Sequence, residues 1–118
     1  MSRFLKATLL GFLALALSQQ AFAAGNAQRG KAKSEQVCAA CHSADGSKPI
    51  APDQPILAGQ HYDYLVRALR DYKSGKRNNA IMKGFADQLS RQDMEDVAAW
   101  FSSQPTKLST PTESRTVH

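Results

Sequence analysis

Apolar side chains recur every three or four residues in three stretches of the chain, and none alternates with polar ones for long enough to predict a strand. The middle stretch has the clearest pattern, with arginine, aspartate and lysine between its apolar positions. Those apolar positions are Tyr62, Leu65, Val66, Leu69 and Tyr72. Gly75 follows as a helix stop. The pattern predicts an amphipathic helix here and an all-α domain overall.

The first and last stretches begin with residues that favour helix N-termini. Asn26 is a candidate N-cap for a first helix whose contact stripe is made of small residues, so a partner helix can approach closely at Gly30. We expect that partner to carry an aromatic side chain. Ser90 is the expected N-cap of the last helix, and Asp93, three residues later, has a shorter side chain than the usual Glu or Gln of a capping box. Pro105 ends this helix. Its predicted inner face carries Met94, Val97, Ala98 and Phe101.

Two long connections between these helices are rich in residues that interrupt regular structure. Residues 43–59 contain three prolines and two glycines, and residues 74–89 contain two glycines and two adjacent asparagines. The sequence predicts an irregular loop for both. Loops of this length are uncommon without a function. A bound prosthetic group would give the first loop something to pack on; otherwise that loop is simply mobile. Three short helices bury little apolar surface, so the chain alone is expected to be marginally stable at best, and we expect something else to complete the core.

The N-terminal residues have the pattern of a secretory signal peptide. Arg3 and Lys6 precede an apolar run from Leu9 to Leu17, and Ala21-Phe22-Ala23 forms an A-x-A cleavage site. The apolar run is too short to cross a membrane, which takes about 20 residues. The predicted organisation is a cleaved signal peptide at residues 1–23, one domain at residues 24–105 and a disordered polar tail at residues 106–118.

The charge pattern argues against a nucleic-acid surface. The chain has 118 residues, with 15 Lys or Arg and 10 Asp or Glu, and signal cleavage removes two of the basic residues, so the net charge falls from +5 to +3. Aspartates are interspersed among the basic residues, whereas a nucleic-acid surface concentrates lysine and arginine on one face. We expect a monomer in the periplasm that binds no nucleic acid and has no transmembrane span after cleavage.

Cys38, Cys41 and His42 form the sequence CxxCH, which is the signature of covalent c-type haem attachment. Two cysteines three residues apart on a helical turn can reach the two vinyl groups along one porphyrin edge, and the adjacent histidine can ligate the iron. The sequence therefore predicts one haem c, with thioethers at Cys38 and Cys41 and with His42 as the proximal iron ligand.

Two interpretations without haem are weaker. A thioredoxin-like dithiol normally lies near a βαβ pattern, and no strand is predicted here. A zinc site built from Cys38, Cys41, His42 and His61 lacks the usual paired spacing, and consecutive side chains at 41 and 42 point in different directions.

Elimination among the methionines indicates the distal iron ligand. Met1 belongs to the predicted signal peptide, and Met94 repeats at helical spacing with core residues. Met82 remains, 40 residues after His42, in a predicted loop that can cross to the opposite haem face. His61 is a rival ligand, although a histidine at the start of an amphipathic helix is more often a surface or capping residue. The other alternative is that Met82 is a loop hydrophobe.

With these motifs the chain resembles the class I c-type cytochromes, and more closely a small single-haem bacterial type similar to one half of cytochrome c4. The matching stretches are Gly30-Lys31-Ala32, Cys38 through His42, Pro55 through Gln60, Tyr64-Leu65, Tyr72 through Gly75, Met82, Leu89-Ser90 and Ala98 through Trp100. The resemblance implies three main helices with long loops wrapped around one covalently bound haem. It also implies that Gly30 crosses the last helix near Trp100 or Phe101, and that the Pro55 carbonyl accepts from His42. Dihaem relatives repeat CxxCH, whereas this chain has one copy.

These observations predict an electron carrier rather than an enzyme, because a Met82 thioether would fill the sixth iron position and raise the reduction potential. The expected partners are redox proteins such as a periplasmic or membrane-bound dehydrogenase or oxidase. Lys76, Arg77 and Lys83 form either a rim that steers a negatively charged partner or a merely solvated face. Two alternatives stay open: a haem enzyme or sensor with an open or displaceable sixth position, and a subunit that stays bound to one dehydrogenase or oxidase.

Overall fold

The computed structural model describes residues 24–106, and every regular element within them is helical. The helices are α1 (Ala27–Val37), α2 (Ala39–His42), α3 (Tyr62–Ser74), α4 (Ala80–Asp87) and α5 (Arg91–Ser102). α1 packs on α5, and α3 packs on both α4 and α5. The predicted helices correspond to α1, α3 and α5. The predicted signal peptide and residues 107–118 of the predicted tail lie outside the described residues.

The ends of the three predicted helices agree with their local sequence chemistry. The Asn26 side chain accepts from the backbone N–H of Arg29 at 2.9 Å at the start of α1. Gly75 ends α3 in the left-handed conformation, with φ of 79°. At the start of α5, the Asp93 N–H donates to Ser90 Oγ at 3.0 Å, and the Ser90 N–H donates to the Asp93 carboxylate at 2.9 Å. The predicted capping box is therefore confirmed.

The prediction of an irregular loop across residues 74–89 is wrong for half of that segment, because residues 80–87 form α4. Asn79 is the N-cap of α4, and its side-chain oxygen accepts from the Met82 N–H at 2.9 Å. An asparagine favours helix N-caps as well as loops. Gly84 weakens a helix by only about 1 kcal/mol, and packing on α3, with Ala86 fully buried, outweighs this cost. Met82 consequently lies on a helix.

The contact between α1 and α5 is close because Gly30 has no side chain. A Cβ at Gly30 would overlap the Asp96 carbonyl and lie 3.0 Å from Trp100 Cβ. The predicted close approach and its aromatic partner are confirmed. Arg29 Nε donates to the Asp96 carboxylate at 2.7 Å, and the Asn26 N–H donates to it at 2.7 Å. These contacts fix α1, the helix that leads into the CxxCH turn.

The contacts of Asp96 predict that acid destabilises the domain. Burial alone would raise the pKa of the Asp96 carboxyl, but hydrogen bonds from Arg29, Asn26 and Gln92 hold it below the ordinary value of 3.8. Because the pKa is lowered by folding, the stabilisation is full above the unfolded-state value and is lost as the pH falls through the folded-state value. We expect Asp96→Asn to lower the midpoint temperature of unfolding at neutral pH by roughly 5 °C. The variant should also show a smaller decrease in midpoint temperature as the pH is lowered.

Thermal unfolding of the Asp96→Asn variant, followed by circular dichroism at a series of pH values from neutral to acid, measures both effects. The matched control is Asp63→Asn, at an exposed position of α3, which should leave the profile unchanged. Folding also lowers the pKa of Asp45 and Asp93, so the variant keeps part of the acid response. A profile parallel to that of the wild type would contradict the role given to Asp96.

The buried apolar residues form two small clusters. The larger one, between α3 and α5, comprises Leu65, Val66, Val97, Ala98 and Phe101. The smaller one comprises Ala86, Leu89 and Met94. Leu69 packs against both clusters, and Cys38 packs against the larger one. Met94 is 2% exposed, so its predicted place in the core is confirmed. Most of the buried apolar side chains therefore belong to two separate clusters rather than to one core.

Candidate haem-binding site

The CxxCH motif begins at Cys38, where α1 ends, and its other four residues form α2. Cys38 ends α1 and begins α2, and its carbonyl accepts from the N–H groups of Cys41 and His42 at 3.2 and 3.0 Å. Residues three apart on a helical turn are surface neighbours, so the two cysteines share one side of the turn. Both thiols are free and half-buried. The structure brings together the three motif residues that the sequence singled out.

The environment of Cys38 does not suit a reactive thiolate. Burial raises the pKa of the Cys38 thiol to about 11, whereas the reactive cysteine of a dithiol redox site has a lowered pKa. Between residues 24 and 106, no three His, Cys, Asp or Glu side chains are arranged to hold a metal ion. The same residues contain no strand. The zinc and thioredoxin-like interpretations therefore find no support in this part of the chain.

His42 is held in the orientation that an iron ligand needs. It is 6% exposed, and its Nδ1 lies 3.0 Å from the Pro55 carbonyl oxygen. Because a carbonyl can only accept, Nδ1 donates in this contact, and Nε2 is the ring nitrogen left for a metal ion. Histidines that bind metals are commonly oriented in this way. The partner implied by the family resemblance is confirmed, and it is neither Pro49 nor Pro52.

The loop after the motif turns back along α5. Ser43 has φ of 68° and is the one non-glycine residue with positive φ in the described range; it redirects the chain directly after α2. Trp100 Nε1 donates to the Ala44 carbonyl at 2.8 Å, and the Gly59 N–H donates to the Phe101 carbonyl at 2.8 Å. Residues 43–59 contain no helix or strand, as predicted. These contacts hold both ends of the loop that supplies the acceptor for the histidine.

The two methionines of the described residues have different environments. Met94 is buried in the smaller cluster, whereas Met82 is half-buried on the first turn of α4, beside Ile81, which is 70% exposed. His61, the rival ligand, is exposed at the N-cap of α3, and its side chain makes no capping hydrogen bond. The burial of Met94 thus supports the choice of Met82 as the candidate distal ligand, and the ligand role itself stays a prediction.

The donor set and its surroundings fit a haem c. Two free thiols one turn apart adjoin an imidazole whose Nδ1 is hydrogen-bonded and whose Nε2 is left for a metal ion, and these are the groups that thioether formation and axial ligation require. Several apolar side chains pack against the same larger cluster as Cys38 and are only partly buried, so apolar surface stays open there. They include Leu57, Tyr62, Leu69 and Trp100.

The three basic residues of the predicted rim differ in their contacts. Lys83 pairs with Asp87 at 3.0 Å. The Arg77 guanidinium lies 4.9 Å from the centre of the Tyr72 ring. Lys76 is exposed. Lys83 is therefore paired with an acid, whereas the contacts of Arg77 with Tyr72 and Tyr64 leave its charge in place, so the steering role of these three residues stays a prediction.

Comparison with known proteins agrees with this site. Residues 27–105 match the cytochrome c family. Cytochrome c4 of Pseudomonas aeruginosa is 50% identical over 92 residues, covering 78% of this chain and 45% of that protein. A thiosulfate dehydrogenase electron acceptor of Stutzerimonas stutzeri is 40% identical over 101 residues, covering 82% of this chain and 47% of that protein. The crystal structure of reduced recombinant cytochrome c4 from Pseudomonas stutzeri has a TM-score of 0.64 and 45% sequence identity. The match covers 70% of this chain and 47% of that chain.

The chain belongs to the cytochrome c family. Its helical structure without strands in residues 24–106 matches that of the cytochrome c4 crystal structure, which confirms the predicted class I fold. Covalently bound haem c is its cofactor, as the motif predicts. The chain spans about half the length of the curated relatives named above. None of the helices in the described range is both long and apolar enough to cross a membrane.

Proposed function

We propose that the protein is a periplasmic electron carrier, with one haem joined to Cys38 and Cys41 and its iron held between His42 and Met82. The haem supplies a one-electron couple between ferrous and ferric iron. The hydrogen bond from His42 to Pro55 carries the proposal, because it orients the imidazole beside two free thiols and leaves Nε2 as the nitrogen that can bind iron. The similarity to an electron acceptor of thiosulfate dehydrogenase supports electron transfer as the activity.

The residues of the motif hold the reacting centre in a fixed place. Cys38 packs against the larger cluster, so a thioether there would be anchored to the interior as well as to the backbone. The hydrogen bond to Pro55 prevents His42 from rotating about its side chain and increases its basicity toward iron. Because these contacts restrain both side chains, a change of oxidation state would require little structural rearrangement, and this favours fast outer-sphere electron transfer.

Met82 has the properties of a distal ligand. Its thioether is neutral and favours ferrous iron, which raises the reduction potential and leaves no position for oxygen or peroxide. The half-buried position on α4 places the side chain near the surface, beside the exposed Ile81. An apolar surface of this kind suits brief contact with a redox protein, which we propose to be a dehydrogenase or oxidase. Such encounters bury less than about 1,200 Å².

Absorption spectra of the purified periplasmic protein, oxidised and reduced, with and without carbon monoxide, test this function. We expect the weak long-wavelength band from sulfur to ferric iron, and no change when carbon monoxide is added to the reduced protein. If the band were missing and carbon monoxide bound, a haem enzyme or sensor with an open sixth position would replace the electron carrier.

Mass spectrometry of the periplasmic fraction tests export and covalent attachment together. We propose that the mature chain begins at Ala24 after cleavage of residues 1–23. The expected mass is that of residues 24–118 plus one haem, and the mass should survive acid extraction because thioethers are covalent. A mass equal to the full chain, or loss of haem in acid, would contradict the proposal. Gel filtration at physiological salt separates a free monomer from a subunit bound to one partner.

A further inference from the structure

Arg77 fastens the connection between α3 and α4 to α3. The guanidinium lies 4.9 Å from the centre of the Tyr72 ring, and Nη1 donates to Tyr64 Oη at 3.2 Å. The Arg77 N–H donates to the Asp71 carbonyl at 3.0 Å. One residue of the connection therefore makes three different contacts with the same helix.

The connection leads directly to Met82. Asn79 follows Arg77 by two residues, and its side chain accepts from the Met82 N–H at 2.9 Å. α3 thus contacts Arg77, two peptide bonds join Arg77 to Asn79 through the next residue, and the Asn79 side chain contacts the backbone of Met82. Every residue from 75 to 81 is exposed, so this segment has no buried side chain to hold it in place.

The other end of α4 is held differently. Ala86 and Leu89 are buried in the smaller cluster. Lys73 Nζ donates to the Leu89 carbonyl at 2.5 Å, and Lys83 Nζ donates in the opposite direction to the Lys73 carbonyl at 3.1 Å. Apolar packing and Lys73 therefore secure the C-terminal end of α4. At the N-terminal end, Lys83 makes one contact with α3 directly after Met82, and the polar contacts of the preceding connection supply the others.

We propose that Arg77 is a positioning residue for the Met82 sulfur. By stacking on Tyr72 and donating to Tyr64, it holds the first turn of α4 against α3 and keeps the thioether in reach of the iron. This inference rests on the ligation by His42 and Met82 proposed above. A planar guanidinium can stack and donate at the same time, whereas a lysine in its place keeps the charge but not this geometry.

Imidazole titration of the ferric holoprotein tests the proposal through the variant Arg77→Lys. Imidazole binds the iron only in molecules whose sulfur has detached, so its apparent affinity is proportional to that fraction. We expect Arg77→Lys to raise the apparent affinity about fivefold, the effect of losing one exposed stacking contact and one hydrogen bond. Tyr64→Phe removes only the phenolic oxygen and should raise the apparent affinity for imidazole about twofold. Since Arg77→Lys preserves the net charge, a change in overall field is not the cause.

The matched control is Arg70→Lys, the same substitution on α3. Arg70 Nη2 donates to Glu95 of α5 at 2.9 Å, a contact that does not lead to α4, so imidazole affinity should stay at the wild-type value. An equal rise in this control would show general loosening and overturn the proposal. Wild-type imidazole affinity in both Arg77→Lys and Tyr64→Phe would also overturn it.

The wild-type spectrum separates this proposal from the ligation on which it rests. If the sulfur band is absent from the wild-type protein, Met82 ligation itself fails, and the Arg77 proposal fails with it. If the band is present and imidazole affinity does not respond to the Arg77 contacts, ligation stands and only the positioning role is lost. Should Arg77→Lys not fold, as judged by circular dichroism, Tyr64→Phe decides the outcome.

Discussion

Replacing both motif cysteines, Cys38→Ala together with Cys41→Ala, is expected to abolish cooperative thermal unfolding of the domain. Nine apolar side chains are buried in the described residues, three of them alanines. The eight that cluster are divided between two groups, and neither is a core that can support a domain of this size alone. A covalently attached haem stays on the unfolded chain as well, but its apolar surface can be buried only when the chain folds, and that burial would stabilise the folded state.

Circular dichroism as a function of temperature, combined with amide hydrogen exchange, measures this effect. We expect a broad, non-cooperative signal change in the double variant and loss of slow-exchanging amides from α3 and α5. The control is Ala40→Ser, an exposed position in the same turn, which keeps both thiols and should melt like the wild type. A sharp, native-like transition in the double variant would show that the polypeptide clusters are sufficient without haem.

The parts of the fold that were predictable from sequence are those fixed by local chemistry. Asn26 and Ser90 cap the helices that follow them, and Gly75 ends α3 in a conformation that favours glycine. The spacing of apolar residues then identified the inner faces, because helical periodicity needs no knowledge of the partner. The close approach at Gly30 was also predictable, since a stripe of small residues implies a near neighbour.

α4 was missed because its stability comes from outside its own residues. The asparagines before it and Gly84 within it are local loop signals, and they agree with an irregular connection. What makes the segment helical is burial of Ala86 against α3 and donation from Lys73, which lies on another helix. Asn79, three residues before Met82, was the one local signal of a helix N-cap that could have found it.

The candidate site was predictable to different extents. Both thioether positions and the proximal ligand are contiguous in sequence, so the motif alone identifies Cys38, Cys41 and His42. The Pro55 acceptor came from family resemblance, because three prolines compete for the role. The contacts of Arg77 were not predicted, since they combine two tyrosines of α3 with a residue beyond its end. Tertiary structure decides such contacts.

Met82→Ala is expected to open the sixth iron position without unfolding the domain. The contact that begins α4 uses the backbone N–H of Met82 and the side chain of Asn79, so truncating the methionine leaves that cap in place. Loss of the thioether removes its preference for ferrous iron. We expect the reduction potential to fall by at least about 60 mV, a tenfold change in the one-electron equilibrium, and the reduced protein to bind carbon monoxide.

Potentiometric titration and carbon monoxide difference spectra measure the two changes. Met94→Leu is the matched control, because it replaces the methionine that lies in the smaller cluster with a side chain of similar volume. It should lower stability by less than about 1.5 kcal/mol and leave the potential and the sulfur band unchanged. If Met82→Ala kept the band and excluded carbon monoxide, the sulfur at position 82 would not be the ligand. An unchanged Met82→Ala spectrum with an altered His61→Ala spectrum would instead identify the exposed histidine at the start of α3 as the sixth ligand.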